Sequence, residues 1–245
     1  ERMDRAFKEL IKRHESLRTA FEQDAGGDPV QRIHDEVPFT LQTTVLGART
    51  EEEAAAAFIK PFDLSQAPLF RAQIVKVSDE RHLLLVDMHH IISDGVSVNI
   101  LIREFGELYN NRKLPALRIQ YKDYAVWQEG FKTGDAYKTQ GAYWLKQLEG
   151  ELPVLDLPAD HARPPMRSFA GDKVSFTLDQ EVTSGLYKLA RENGSTLYMV
   201  LLAAYTAFLS RLSGQEDIIV GSPIAGRPHK DLEPILGMFV NTLAL

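Results

Sequence analysis

The sequence contains no cysteine among its 245 residues. This absence excludes a disulfide framework, a thiolate nucleophile and a cysteine-based zinc site. Long hydrophobic runs are lacking too, because the longest candidate, residues 197–212, is interrupted by small and polar residues. A membrane-spanning helix needs about 20 predominantly apolar residues, so none is predicted. No signal peptide is predicted either, and these features together predict a cytoplasmic protein without a membrane partner.

Positive charge is also scarce. The sequence has 28 Lys and Arg against 34 Asp and Glu, for a net charge of −6. A nucleic-acid-binding domain is typically basic, so we predict no nucleic-acid partner. The composition, with 44% hydrophobic and 25% charged residues, is typical of a globular protein. The length is sufficient for one large domain or two smaller ones.

The chain is organised around residues 87–97, which read DMHHIISDGVS. Residues 81–88 are predicted to form a buried strand, because they contain a continuous apolar run. Residues 96–109 are predicted to form a helix with one apolar face. Two adjacent histidines, an aspartate and a glycine therefore lie on a strand-to-helix loop, and such loops often carry functional residues.

Three interpretations of this loop remain open from its residues alone. In the first, Asp94 caps the helix and Gly95 relaxes the turn, with no chemistry. In the second, His89, His90 and Asp94 bind a metal, although neighbouring strand residues point to opposite sides, which disfavours a shared ion. In the third, one histidine is presented to a substrate as an acid or base.

The remaining chain predicts an α/β protein with mostly antiparallel strands. Helices are predicted at residues 2–15 and 51–59, from residue 121 through 127, and at 136–148, and hairpins are predicted at 17–34 and 69–89. Residues 152–167 contain four prolines and little periodicity, which indicates a linker between two halves. The second half is predicted to begin with a strand at 173–178, followed by helices at 180–192 and 195–212, and to end on an apolar strand. Because the chain starts inside a helix and stops on a strand, we expect it to be truncated at both ends.

Four stretches then carry a resemblance. Residues 89–95 match the HHxxxDG signature of condensation domains of nonribosomal peptide synthetases. HxxxDG alone is shared with a wider acyltransferase superfamily that includes chloramphenicol acetyltransferase. Three further segments resemble condensation-domain motifs in the correct order: RHESLRTAF at 13–21, YKDYAVW at 121–127 and GMFVNTL at 237–243. The sequence is therefore identified as similar to this family over most of its length.

The resemblance implies two chloramphenicol-acetyltransferase-like lobes, with mixed sheets and flanking helices, around a tunnel. The expected boundaries are an N-terminal lobe at 1–160, a linker at 161–171 and the start of a C-terminal lobe at 172–245. The second lobe is expected to be incomplete. This piece alone is therefore expected to be inactive.

The implied reaction is peptide-bond formation between a carrier-bound aminoacyl or peptidyl thioester and the free amine of a carrier-bound aminoacyl acceptor. The implied partners are donor and acceptor carrier domains, which hold the substrates on 4′-phosphopantetheine, and a neighbouring adenylation domain. No cofactor or metal is expected to bind the chain itself. An epimerisation domain and a non-catalytic, partner-docking relative are alternatives within the same fold.

The resemblance also implies roles for the motif residues. His90 is expected to act as a base or to position the attacking amine, and Gly95 to leave room for the arm and offer its backbone N–H. His89 is expected to support the site.

Asp94 is expected to fix the loop through an ion pair with Arg13, with Arg18 nearby. Ser97 and Asn241 are possible tunnel residues.

Overall fold

The protein has the α/β fold that the sequence predicted. The structure, a computed structural model, describes residues 1–162, 164–166, 168 and 171–245. Three short 3-10 turns lie at Glu15–Arg18, His90–Ile92 and Lys230–Leu232. The helices are α1 (Arg2–Arg13), α2 (Glu51–Phe58), α3 (Gly95–Tyr109), α4 (Tyr121–Lys132), α5 (Asp135–Gln147), α6 (Gln180–Glu192) and α7 (Leu197–Ser213). The strands are β1 (Thr19–Gln23), β2 (Pro29–Ile33), β3 (Gln42–Val45), β4 (Phe70–Lys76), β5 (His82–Met88), β6 (Gly221–Ile224) and β7 (Asn241–Ala244).

The described strands form one three-stranded sheet and two two-stranded sheets. β1 and β2 make the first predicted hairpin, and β4 and β5 make the second. β3 joins the second hairpin as a parallel neighbour of β4, giving the order β3-β4-β5. β6 pairs with β7. The three-stranded sheet therefore mixes parallel and antiparallel pairs and delivers the chain, through β5, directly to the HHxxxDG loop.

The main core lies where α1 packs against α3 and the β4–β5 hairpin. Phe7, Leu10 and Ile11 follow one face of α1 at helical spacing and are buried. They meet Ile100 and Leu101 of α3 in the same cluster. Burying a large apolar side chain contributes roughly 1.5–3 kcal/mol, so this core holds α3, and the loop before it, in a fixed place.

The chain forms two compact units. The first comprises residues 1–142 and 223–241, and the second comprises 143–222 and 242–245. The bounds of these units differ from those of the predicted lobes, because residues 223–241 belong to the first unit. The lobe boundaries therefore stay a prediction. Of the predicted linker, 161–171, positions 163, 167, 169 and 170 lie outside the described residues.

The second unit contains helices α6 and α7, which are close to their predicted bounds. The side chain of Thr196 caps α7 by accepting the Met199 N–H, which fits the capping preference of threonine. The predicted strand at 173–178 is wrong. That segment has no regular structure, and Val174 is 90% exposed, because no described strand lies beside it to complete its backbone hydrogen bonds.

Within the described ranges no single helix has the length and apolar composition to cross a membrane. By those two criteria alone, α6 and α7 taken together would pass as a pair bent by 106°.

Candidate active site

The histidine pair lies at the end of β5, where the sheet stops and a 3-10 turn begins. The backbone N–H of His89 donates to the Leu69 carbonyl at 3.0 Å, which links the residue after β5 to the residue before β4. His89 is half-buried, and its imidazole stands perpendicular to the Phe62 ring at a centroid distance of 6.1 Å. His90 is exposed and begins the turn. Both histidines follow the end of β5, so the strand alternation that was expected to separate their side chains does not apply to them. His89 is the more enclosed of the two.

Asp94 closes the loop by capping α3. Its Oδ1 accepts the Ser97 N–H at 2.7 Å and the Ser97 hydroxyl at 2.8 Å. Its Oδ2 accepts the backbone N–H of Phe239 at 3.1 Å. The first turn of a helix leaves N–H groups without acceptors, and an aspartate at the cap satisfies them. The capping role that the sequence suggested for Asp94 is therefore confirmed.

The ion-pair partner of Asp94 is Arg227. The Arg227 Nη2 lies 3.1 Å from Asp94 Oδ1, and the two side chains are 5% and 0% exposed. The Nη1 of the same guanidinium donates to the Leu232 and Ile235 carbonyls at 2.6 and 2.7 Å. Its central carbon lies 3.9 Å from the centre of the Phe239 ring. The arginine is thus held by a carboxylate, two carbonyls and an aromatic face.

These contacts set the charge state of the carboxylate. Burial opposes ionisation of Asp94. The hydrogen bonds from Ser97 and Phe239 and the positive charge of Arg227 outweigh burial and hold the pKa of the carboxyl below its ordinary value. Asp94 is therefore ionised at neutral pH.

The expected pairing of Asp94 with Arg13 is wrong. Arg13 lies at the end of α1 and donates through Nε to Glu104 Oε2 of α3 at 2.9 Å. Arg18 contacts Glu15 at 3.6 Å and donates to the His34 carbonyl. Glu104 satisfies the charge of Arg13 locally, because α1 and α3 pack side by side.

The imidazole of His14 shares the same carboxylate. Its Nε2 lies 2.7 Å from Glu104 Oε2, and both side chains are buried. Burial lowers the pKa of His14, against the opposing effect of Glu104. His14 is therefore neutral at pH 7 and donates its Nε2–H. It is a packed core histidine.

Ser97 connects Asp94 to the GMFVNTL segment. Its hydroxyl accepts the Gly237 N–H and an Arg227 N–H, each at 3.1 Å. The same oxygen lies 2.9 Å from the Gly237 carbonyl. Ser97 is 0% exposed, so the structure gives it an internal, supporting place and not the open one expected of a tunnel residue.

The YKDYAVW segment meets the same cluster. The Tyr121 hydroxyl donates to the Met238 carbonyl at 2.8 Å, and its ring packs edge-on against Phe239. A β-carbon on Gly237 would lie only 2.1 Å from the Tyr121 ring. A glycine is therefore required at this position for the two segments to approach. Three of the four motifs thus meet around Asp94.

Two further expected site residues are exposed. Gly95 is exposed at the first position of α3, with open space around the place that a β-carbon would occupy. Asn241 is exposed at the first position of β7. Their roles stay predictions. Among the described residues, no group of three or more His, Asp or Glu side chains is arranged to hold a metal ion.

The sequence analysis gave Arg227 no role. A local signal did exist, because Arg227 lies between Gly226 and Pro228, two residue types that mark a tight turn. Gly226 has a φ of +64°, and a β-carbon there would lie 1.9 Å from the Phe239 carbonyl oxygen. This tight approach is what brings Arg227 to the buried carboxylate.

Comparison with known proteins decides the family. The condensation-domain family profile matches residues 1–245. The chain belongs to the condensation-domain family. A plipastatin synthase of Bacillus subtilis (strain 168) is 96% identical over all 245 residues, which cover 10% of that protein. Gramicidin S synthase 2 of Aneurinibacillus migulanus is 54% identical over 244 residues, which cover 6% of it. The chain spans between 4 and 10% of the length of the curated relatives compared with it.

Solved structures agree with this assignment. The X-domain from teicoplanin biosynthesis is 27% identical, with a TM-score of 0.86 over 100% of this chain and 57% of that one. The condensation domain of the Monacolin K polyketide synthase MokA also has a TM-score of 0.86, at 23% identity, over 100% of this chain and 58% of that one. The expected chloramphenicol-acetyltransferase-like fold is thereby confirmed for this condensation domain.

Proposed function

We propose that this condensation domain joins two carrier-bound substrates through an amide bond. The free amine of an aminoacyl acceptor attacks the carbonyl of an aminoacyl or peptidyl donor thioester. The new C–N bond forms, the C–S bond breaks, and the donor thiol leaves on its own 4′-phosphopantetheine arm. The amine loses a proton in the same process. The partners are a donor carrier domain, an acceptor carrier domain and a neighbouring adenylation domain.

The observation that carries the proposal is the exposed imidazole of His90 in an intact HHxxxDG loop. Asp94 is fully engaged inside the protein, whereas His90 is open to an incoming group. His90 acts either as the base that accepts the amine proton or as the group that orients the amine. A positioned base contributes typically about 100- to 10,000-fold to a rate.

The test uses a polypeptide that contains this chain between a donor and an acceptor carrier domain. The carriers are loaded separately and mixed, and the dipeptidyl thioester is read by intact mass. We expect His90→Ala to lower the rate by about 100-fold or more. The matched control is His82→Ala, which removes another exposed histidine at the start of β5. Wild-type rates for His90→Ala would refute the proposal.

His90→Gln separates the two roles of the imidazole. Glutamine offers hydrogen-bonding groups but cannot act as a base near neutral pH. A rate near that of wild type would favour orientation of the amine. A rate near that of His90→Ala would favour proton transfer.

Two other functions are outcomes of the same assay. Solvent deuterium at the donor α-carbon, without dipeptide, would indicate epimerisation. The X-domain that resembles this chain has been solved in complex with OxyB, at a TM-score of 0.85 to this chain. Neither dipeptide nor deuterium from a folded protein would therefore favour a partner-docking role.

A further inference from the structure

A cavity lies between α2 and the two strands that α2 connects. β3 and β4 are parallel neighbours, and α2 is the crossover between them. The cavity has a volume of about 380 Å³, within the range of roughly 300–1,000 Å³ that is typical of small-molecule sites. Its lining comes from residues 38–75 and includes none of the HHxxxDG residues. It therefore lies within the first compact unit and is separate from the candidate active site.

The space exists because the side chains that line it are small or polar. The helix contributes Ala54 and Ala57, and the sheet contributes polar side chains, Gln42, Thr44 and Gln73. The Gln73 amide donates to the Thr44 hydroxyl at 3.2 Å, so these two side chains lie on one face of the sheet. The interface between a helix and a sheet is normally filled by large apolar side chains. Here methyl groups leave room, and amides and hydroxyls line the space.

The lining carries positive charge without a carboxylate of its own. Its charged members are Arg49, Lys60 and Arg71, and the lining residues that the structure describes include no aspartate or glutamate. Arg71 is paired with Asp87 of β5, 3.0 Å away. Over the described ranges, the Arg49 side chain donates to main-chain carbonyls alone, and the Lys60 ammonium has no hydrogen bond or ion pair. Two cations are therefore available to an anion.

The two available cations flank α2 at its opposite ends. Arg49 precedes the first turn, which contains three glutamates, and their negative charge weakens the attraction of that end for an anion. Lys60 follows the last turn, and its carbonyl accepts a hydrogen bond from the Arg71 guanidinium. Phe58 and Phe70, which are close to these two cations in sequence, also line the cavity. The Lys60 end therefore combines a free ammonium with aromatic surface.

We propose that this cavity binds a small organic carboxylate that carries an aromatic or branched apolar group. The Lys60 ammonium binds the carboxylate, and the apolar part lies between the alanines of α2 and the sheet. A free amino acid is a poorer ligand, because the described lining offers no carboxylate to its ammonium. The site differs in this respect from one that accepts an aminoacyl substrate, and the inference does not depend on the proposed function of His90.

Two probes of similar shape and opposite charge test this proposal. Line broadening in fluorine NMR measures the binding of para-fluorophenylpropionate and of para-fluorophenylpropylamine to the chain. We expect the carboxylate to bind with a Kd of about 1 mM or tighter, which is within reach of a ligand of this size. We expect the amine to bind about tenfold more weakly or worse, because a hydrogen bond to a charged group contributes roughly that factor.

Two pairs of variants locate the site. Lys60→Gln removes the ammonium and should weaken binding of the carboxylate about tenfold, whereas Lys146→Gln, at an exposed lysine of α5, should not. Ala57→Leu fills part of the cavity and should weaken binding about tenfold or more. Its control is Ala56→Leu, at an exposed position of the same helix that does not line the cavity. All four variants should keep the wild-type condensation rate, and their thermal midpoints establish that they are folded.

Equal binding of the two probes would overturn the proposal, and so would the absence of carboxylate binding at about 1 mM. Binding that neither Lys60→Gln nor Ala57→Leu weakens would place the carboxylate elsewhere on the chain and would also overturn it. Loss of binding in Arg49→Gln with wild-type binding in Lys60→Gln would refute the assignment of the carboxylate to Lys60. The rate of His90→Ala bears on the proposed function alone.

Discussion

The buried pair of Asp94 and Arg227 supports the most quantitative prediction. Arg227→Met keeps most of the apolar stem and removes the guanidinium that lies 3.1 Å from the carboxylate. Removing one partner of a buried pair leaves an uncompensated charge and costs about 3–5 kcal/mol. Asp94 retains its hydrogen bonds from Ser97 and Phe239, so we expect the lower end, about 3 kcal/mol.

Urea denaturation, monitored by circular dichroism, measures this loss in the free energy of unfolding. For a chain of this length, about 3 kcal/mol corresponds to a fall of roughly 6–12 °C in Tm. The matched control is Arg118→Met, which breaks an ion pair with Asp231 in which the arginine side chain is 74% exposed. Exposed pairs contribute no more than about 1 kcal/mol, so this variant should unfold close to wild type.

A double-mutant cycle tests the identity of the partner. Asp94→Asn combined with Arg227→Met should be non-additive, by about 0.5–3 kcal/mol, because the two side chains are in contact. Asp94→Asn combined with Arg13→Met should be additive, because Arg13 pairs with Glu104 instead. Coupling of Asp94 to Arg13 and not to Arg227, or a cost for Arg227→Met no larger than that for Arg118→Met, would refute the assignment.

Two further predictions concern residues away from the exposed histidine. Gly237→Ala should lower the free energy of unfolding by about 1–3 kcal/mol through overpacking against the Tyr121 ring. In a background that already carries Tyr121→Ala, the same substitution should cost less, because the ring it would clash with is absent; the urea assay measures both differences. His14 has a lowered pKa when folded, whereas in the unfolded chain it titrates near 6.5. As the pH falls below about 6.5 only the unfolded chain takes up this proton, so stability should decrease. His14→Gln, which can still donate to Glu104, should flatten that part of the urea-midpoint profile between pH 7.5 and 5.5, and an unchanged profile would contradict the neutral, buried assignment.

Sequence reasoning succeeded where the controlling interactions are local. The apolar spacing within α1 and α3, the Gly-rich turn before β2 and the short turn between β4 and β5 each act over a few residues. The capping of α3 by Asp94 also spans only three positions, from Asp94 to Ser97. These features follow from the periodicity and end signals of single elements.

The long-range partner of Asp94 could not be predicted in this way. Arg227 is 133 positions away along the chain, and no local pattern selects it over Arg13 or Arg18. The strand predicted at 173–178 failed for a related reason. Alternating apolar residues are compatible with a strand, but a strand needs a neighbour for its backbone hydrogen bonds, and sequence spacing does not supply one.

The cluster around Asp94 also decides which residue of the HHxxxDG loop is free to act. Both Asp94 oxygens already accept hydrogen bonds from the protein, and the side chain is 0% exposed. An ionised carboxylate without solvent access or a spare acceptor position is not suited to receive a substrate proton. His89 uses Nδ1 to cap the turn, which leaves His90 as the exposed imidazole. We therefore propose that chemistry at this loop depends on His90, and that Asp94 and Arg227 support the loop that carries it.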